Sequence, residues 1–411
     1  MIRSRFFISV LSVLTVLSVL LVPGAARAED VSLAAVTAAV EHAPAARASM
    51  LDVVAAEART DAAGAWALSS LHVGTNRLTA KLVAGVTVPL PILGTIGAAR
   101  EEAAAQARLV RDEAIIGRRD LRSRAIVAWL ELARADTDIV TQTEAAAQAA
   151  ELERIAQGRF DAGAGGEVDV TSAHAARARA DVAVAVAVRE SRARAAELAG
   201  LLGWDPTLER HASGALPGGA ADLSQLRAVI AHHPERTAAL AQIAAREATA
   251  HRLEVARRPL LGFELTGSYD DPTQTGTTAL ARTDVFAGLV FEVPVFGHLG
   301  DQLRAAHTDT DAAKLRLTGV DGELAAGLVA AYERWQAATE RVTALEKDVM
   351  PAQQRATRLA QQAYREGARD LSTALLATRD QQAVAAELAN ARIEAGLAWQ
   401  AVTLAAGTDA P

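Results

Sequence analysis

Proline is missing from three long stretches of this chain: between Pro91 and Pro206, between Pro294 and Pro351, and between Pro351 and Pro411. Those stretches are rich in Ala, Glu, Arg, Gln and Leu, the residues that lose least on entering a helix. From Ala98 to Gln157 the one glycine is Gly117. An unbroken helix over that span is about 90 Å long at 1.5 Å per residue. That is far beyond the usual globular helix and predicts a coiled-coil assembly. The larger apolar residues, such as Ile115, Leu121, Ile126, Trp129, Leu132 and Ile139, are thinly spread among alanines. A narrow, small-residue stripe suits close helix packing rather than a thick core. Aromatics at 4% of the chain leave little material for a bulky interior.

Two segments break the helical pattern. Leu71–Leu90 holds His72-Val73-Gly74-Thr75 and the β-branched run Leu82-Val83-Ala84-Gly85-Val86-Thr87-Val88. In Leu260–Phe296, Leu261, Phe263 and Leu265, then Phe286, Leu289, Phe291 and Val293, flank a polar stretch from Asp270 to Thr283. Such a pattern predicts a hairpin with a long loop, and alternation over about ten residues also fits a transmembrane barrel strand. The first segment is short for two spanning strands, so its strands are expected to start nearer Trp66 or to join through a tight loop.

The N-terminus reads as an export signal. Arg3 and Arg5 precede an apolar run from Phe6 to Val22, Pro23-Gly24 break it, and Ala26-Arg27-Ala28 supplies a small–x–small cleavage pattern. Cleavage after Ala28 removes three arginines and moves the net charge from −7 to −10. An acidic mature chain argues against nucleic acid as a partner, because phosphate binding needs a basic face. With no cysteine, disulfides, thiolate metal sites, cysteine nucleophiles and N-terminal lipidation are all excluded. No second run of about 20 apolar residues offers a transmembrane helix.

The chain also resembles itself. Leu33–Arg59 matches Leu223–Thr249 at an offset of 190, with His42 on His232 and Pro44 on Pro234. Val88-Pro89 recurs as Val293-Pro294. Trp129 falls on Tyr332 at offset 203, then Phe160 on Tyr364, Gly163 on Gly367 and Gly203 on Gly407 at offset 204. The expected organisation is a signal peptide over 1–28, a first repeat over 29–212, a linker over 213–222 and a second repeat over 223–411. Each repeat reads helix, strand segment, long helix, glycine-containing turn, long helix.

That order, the duplicated segments Arg159-Phe160-Asp161-Ala162-Gly163…Glu167-Val168-Asp169 and Ala363-Tyr364-Arg365-Glu366-Gly367-Ala368-Arg369, and the Val-Pro strand ends resemble the outer-membrane efflux protein (TolC-like) family. The resemblance covers essentially the whole mature chain. It implies a mainly α fold with a small β part: a trimeric α-helical barrel joined to a shared twelve-stranded transmembrane β-barrel. It also implies a Gram-negative outer-membrane exit duct, most of it in the periplasm, that works with a periplasmic adaptor and an inner-membrane pump. Such a duct is no enzyme and carries no cofactor. By the same resemblance Asp169, Tyr364 and Arg369 form a periplasmic gate. The turns at Gly163, Gly165, Gly166, Gly367 and Ala368 form the adaptor-docking tip. The paired aspartates that some members place beyond the second turn are replaced by Thr373 and Leu376, leaving Asp370 as the nearest acid.

Other constellations carry less. His232-His233-Pro234 is read as a short helical interruption, matching Glu41-His42-Ala43-Pro44, rather than a metal handle. His298 and His307 are read as solvated, and no zincin-like, Gly-x-Ser-x-Gly or phosphate-loop motif occurs. Arg118-Arg119 and Arg122-Ser123-Arg124 alternate with acids as a solvated face. The rival to the duct is a soluble periplasmic coiled-coil adaptor or scaffold, and the Leu260–Phe296 hairpin separates the two, because a soluble rod needs no lipid-facing strand.

Overall fold

In a computed structural model the chain is described over residues 29–66, 69–76, 81–90, 93–220, 222–270, 282–292 and 298–408. The signal peptide, the polar loop of the second hairpin over 271–281 and the Val293-Pro294 strand end lie outside these residues. The first half runs β1 (Glu29–Ser32), α1 (Leu33–Val40), α2 (Pro44–Ala63), β2 (Ser70–Asn76), β3 (Lys81–Leu90), α3 (Thr95–Asp161) and α4 (Glu167–Leu202). After β4 (Arg210–Ser213) come α5 (Leu223–Val229), α6 (Pro234–Val255), β5 (Leu260–Asp270), β6 (Arg282–Glu292), α7 (Leu299–Ala344), α8 (Met350–Arg365) and α9 (Leu371–Ala406).

The proline-free stretch folds as its composition requires. Helix α3 runs unbroken for 67 residues, about 100 Å. It packs along α4, α2, α6 and α9, while α7 packs along α6 and α9. Between α3 and α6 the buried contact is Ala105 and Leu109 against Ala245 and Ala248. No helix among the described residues is long and apolar enough to cross a membrane.

Bulky side chains gather in two places. Around Trp129, residues from α1, α3, α4 and α9 enclose Leu130, Leu132, Leu198 and Ile393, and the indole Nε1 donates to the Val31 carbonyl at 2.8 Å. Tyr332, Trp335 and Trp399 stack edge-on beside Leu328 and Val402, with ring centroids 5.5 and 5.0 Å apart. Between these groups β1 and β4 pair in parallel, Glu29 opposite Arg210. Asp136 of α3 fastens this region: it accepts from Ser191 Oγ (2.6 Å) and the Ala212 N–H (2.7 Å), and meets His211 Nδ1 (3.0 Å).

Gly203 and Gly407 end α4 and α9 in the left-handed region, φ 72° and 77°. Each lies against the start of a short helix. A Cβ on Gly203 would stand 2.9 Å from Pro44 Cδ, and one on Gly407 2.7 Å from His233 Cδ2. His233 is buried at the N-cap of α6, accepting from the Glu235 N–H through Nδ1 and reaching the Leu404 carbonyl through Nε2 (3.2 Å). The His-His-Pro run is thus a 3-10 turn followed by a helix start. Arg119, expected on a solvated face, instead donates to the Leu404 and Thr408 carbonyls at the C-terminal end of α9, where a cation is favoured.

The second long helix differs from the first. Between α7 and α8, Leu345–Val349 form a π-helical turn just before Pro351. Proline has no N–H to give the ladder and crowds the carbonyl four residues back, and the wider turn accommodates both. The offset between matching positions grows from 203 at Trp129 and Tyr332 to 204 at Gly163 and Gly367, and the wide turn lies between those points.

Replacing Asp136 by alanine leaves three donors without their acceptor. We expect a loss of about 2 kcal/mol, read as a lower midpoint in denaturant titration of the detergent-extracted protein.

Candidate functional site

The two strand segments form one antiparallel sheet in the order β2-β3-β5-β6. Strand β2 begins at Ser70 rather than near Trp66, and residues 77–80 join it to β3, so the first hairpin is the shorter one. Trp66 still caps it, its indole Nε1 donating to the Pro89 carbonyl at 3.0 Å. Strands β5 and β6 are 11 residues each.

Because side chains alternate with period two, the register decides what each face carries. Leu71 stands opposite Val86, Val86 opposite Leu265, and Leu265 opposite Ala287. Stepping by two along each strand, that face holds Val73; Leu82, Ala84, Val88 and Leu90; Leu261 and Phe263; Val285, Leu289 and Phe291. Thr75, Tyr269 and Thr283 close it at one end. Many of its large residues are exposed, Leu71 by 72%, Val285 by 73% and Leu289 by 69%. A contiguous apolar face of this kind marks a surface meant for lipid or protein.

The other face is polar. It holds Ser70, His72, Thr87, Glu264, Thr266, Ser268 and Asp284. His72 Nε2 lies 3.7 Å from Glu264 Oε1, and Thr266 Oγ1 donates to that oxygen at 2.8 Å. The imidazole lies across Gly85, where a Cβ would come within 2.5 Å of it. Phe286, grouped by sequence with Leu289 and Phe291, falls on this face because it is an odd number of residues from both; its ring lies over Gly288.

At the far end of the long helices two turns meet. Gly163 and Gly367 take φ 69° and 75°, a conformation that glycine enters without a Cβ penalty. Gly163 has open space around it. Phe160 and Val168, beside the first turn, are exposed. A small core joins the hairpins: Leu152, Ile155 and Ala156 of α3, Ala173 of α4, Tyr364 of α8, Leu371 and Ala374 of α9.

Of the three expected gate residues, the subunit brings two together. Tyr364 is buried, 1% exposed. Burial pushes its phenol above the ordinary value, the Asp169 carboxylate adds to the push, and the Arg159 guanidinium opposes it. The hydroxyl itself closes no hydrogen bond. Arg369 is exposed and its side chain has no partner among the described residues. Asp370 serves as the N-cap of α9. The Thr373 and Ser372 hydroxyls donate to it and hold its carboxyl below the usual range.

The tip also contains a residue the sequence reading passed over. Arg159 Nη1 donates to the Tyr364 carbonyl (2.7 Å), Nη2 donates to the Ala164 carbonyl (3.0 Å), and the guanidinium lies 5.0 Å from the Tyr364 ring centroid. Its place in the Arg-Phe-Asp-Ala-Gly run was visible, but an arginine near a turn is usually a solvated one.

Among the described residues no group of three histidine, cysteine or acidic side chains is arranged to hold a metal. His307 pairs with Glu254 (3.6 Å) and His251 with Glu101 (3.0 Å) between helices.

Comparison with known proteins agrees with this architecture. Residues 226–408 match the outer membrane efflux protein family model. No curated protein matches the chain by sequence. Among solved structures, VceC, an outer membrane protein of Vibrio cholerae, superimposes with a TM-score of 0.74 at 16% identity, covering 92% of this chain and 97% of that one. The outer-membrane channel OprN gives 0.73 at 20% identity over 92% and 90%. The CmeC outer membrane channel of Campylobacter jejuni gives 0.73 at 15% over 90% and 84%. Residues 226–408 thus match the outer membrane efflux protein family model, and the chain as a whole shares the fold of these outer-membrane channels.

Proposed function

We propose that this protein is the outer-membrane exit duct of a tripartite efflux system, conducting solutes passively from an inner-membrane pump and periplasmic adaptor to the outside. The observation that carries the reading is the sheet: one face mainly apolar, the other carrying Ser70, His72, Thr87, Glu264, Thr266, Ser268 and Asp284 among fewer apolar residues, with β2 and β6 as its two edges. Four strands cannot close a barrel, and an edge in lipid leaves backbone groups unpaired. Three copies, pairing β6 of one with β2 of the next, close twelve strands with the polar face inward. The long helices then form the periplasmic tube, their side chains packed in two layers around water. A soluble rod would have no use for the exposed apolar face.

The two halves read as a duplication. Equal φ at Gly163 and Gly367, and the parallel seating of Gly203 on Pro44 and Gly407 on His233, support that reading and the boundary at the 213–222 linker. The exposed turns at Gly163, Gly165, Gly166, Gly367 and Ala368, with Phe160 and Val168 beside them, are the surface on which the adaptor docks. Arg369, exposed and without a side-chain partner among the described residues, pairs in this reading with Asp169 of a neighbouring copy and keeps the tip closed.

Negative-stain imaging and mass measurement of the detergent-extracted protein test the duct directly. A trimeric rod well over about 100 Å long, the span of α3, is expected; a detergent-independent monomer or dimer would sink the barrel. Leu289→Arg, near the middle of the apolar face, should cost about 2–4 kcal/mol in lipid and block insertion, whereas Ser268→Arg on the polar face should insert. A charge-assisted bond of about 1–3 kcal/mol makes Asp169→Ala and Arg369→Ala raise single-channel conductance in planar bilayers; unchanged conductance in both removes the lock. The raised Tyr364 phenol sets an alkaline limit. Tip packing is complete below the ordinary tyrosine value of about 10 and is lost as pH climbs through the higher folded value. Ultraviolet titration should show a late phenolate that Tyr364→Phe removes.

A further inference from the structure

The tip of each subunit is built from two hairpins, α3–α4 and α8–α9, whose turns are separate pieces of chain. Arg159 crosses between them at the end. Arg159 leaves the last turn of α3, donates back to Ala164 of its own turn, and donates across to the Tyr364 carbonyl at the end of α8. Its flat face covers the Tyr364 ring. Its Nε is buried without a partner, so its polar anchors are the two terminal nitrogens. Gly367 supplies the seat: a Cβ there would stand 3.2 Å from Nη1.

We propose that Arg159 is the polar tie that locks the ends of the two periplasmic hairpins of one subunit together beyond the small core around Tyr364, and that the inner end of the duct stays narrow only while this tie is made. The proposal rests on the duct reading above and concerns contacts within a subunit, distinct from an Asp169–Arg369 pair between subunits. Only a planar fork can serve two carbonyls in different directions while stacking on a ring. A lysine keeps the charge but reaches one acceptor at a time. The matching position in the second half is Ala363, so no second arginine at that site duplicates the bond. A nearby ion pair, Arg365 Nη2 to Glu151 Oε1 at 2.8 Å, also joins α8 to α3, but both side chains are largely in water, where such pairs hold weakly.

Single-channel conductance of the full-length protein in planar bilayers provides the test. Arg159→Ala and Arg159→Lys should each raise conductance severalfold. The chain has no cysteine, so Glu151→Cys with Arg365→Cys gives one unique bridging site per subunit. Joining it with a short bis-maleimide in the Arg159→Ala background should return conductance to the wild-type level. Wild-type conductance in both Arg159 variants overturns the tie, and so does a raised conductance that bridging leaves unchanged. Should Arg159→Ala not insert, the Lys variant with the same bridge decides by the same two outcomes. Channels formed by the wild-type protein separate this test from the duct reading, which fails if the wild type forms none.

Discussion

Backbone groups in hydrocarbon have no water to bond, and each one left unpaired costs several kcal/mol. In lipid that penalty would fall on β2 and β6, the two edges of the described sheet. In the assembly proposed here the penalty itself selects the oligomer, because neighbouring copies cover both edges at once. The same requirement explains why the strands are short and the helices long. The sheet needs only the thickness of a bilayer, while the remaining chain is free to extend into water.

The helices are stabilised in an unusual distribution. Half of the buried residues of α3 and three of the seven of α7 are alanines, which bring backbones close but bury little area each. Large side chains concentrate around Trp129, around Trp335 and Trp399, and at the tip around Tyr364. Between these stations, interhelical ion pairs such as Arg341 with Glu387 and Glu394 line the surface. A wall only one helix thick has an outer and an inner surface, both wet, and cannot hide a continuous core. Local cores at the middle and the end fix the helices, and alanine keeps them parallel in between.

Much of this was legible in the sequence. The absence of proline dictated the long helices, and the alternation in Leu260–Phe296 dictated a hairpin, since each rests on local chemistry. Phe286, named beside Leu289 and Phe291 in the sequence, falls on the opposite face because parity matters more than hydrophobicity once a register exists. The start of β2 was blurred because Trp66 is apolar and adjoining, yet serves as a cap on Pro89 rather than a strand residue. At the tip, Tyr364 and Asp169 were found through resemblance, while Arg159 was not, because its partners are main-chain carbonyls. Nothing in a sequence marks which backbone oxygen an arginine will meet after two distant turns are brought together. Asp370, the nearest acid beyond the second turn, serves as a helix cap, a role that only the folded backbone reveals.

The π-helical turn at Leu345–Val349 shows how a long packed helix absorbs a change in length. One residue added to a regular α-helix turns everything beyond it by about 100°, which here would swing Tyr364 and the whole of α8 off the face that meets α9. A local widening of the backbone takes up the surplus instead, and the phase on either side is kept. Rods built this way tolerate single-residue insertions during evolution wherever a wide turn can form, without retooling the surfaces at their ends.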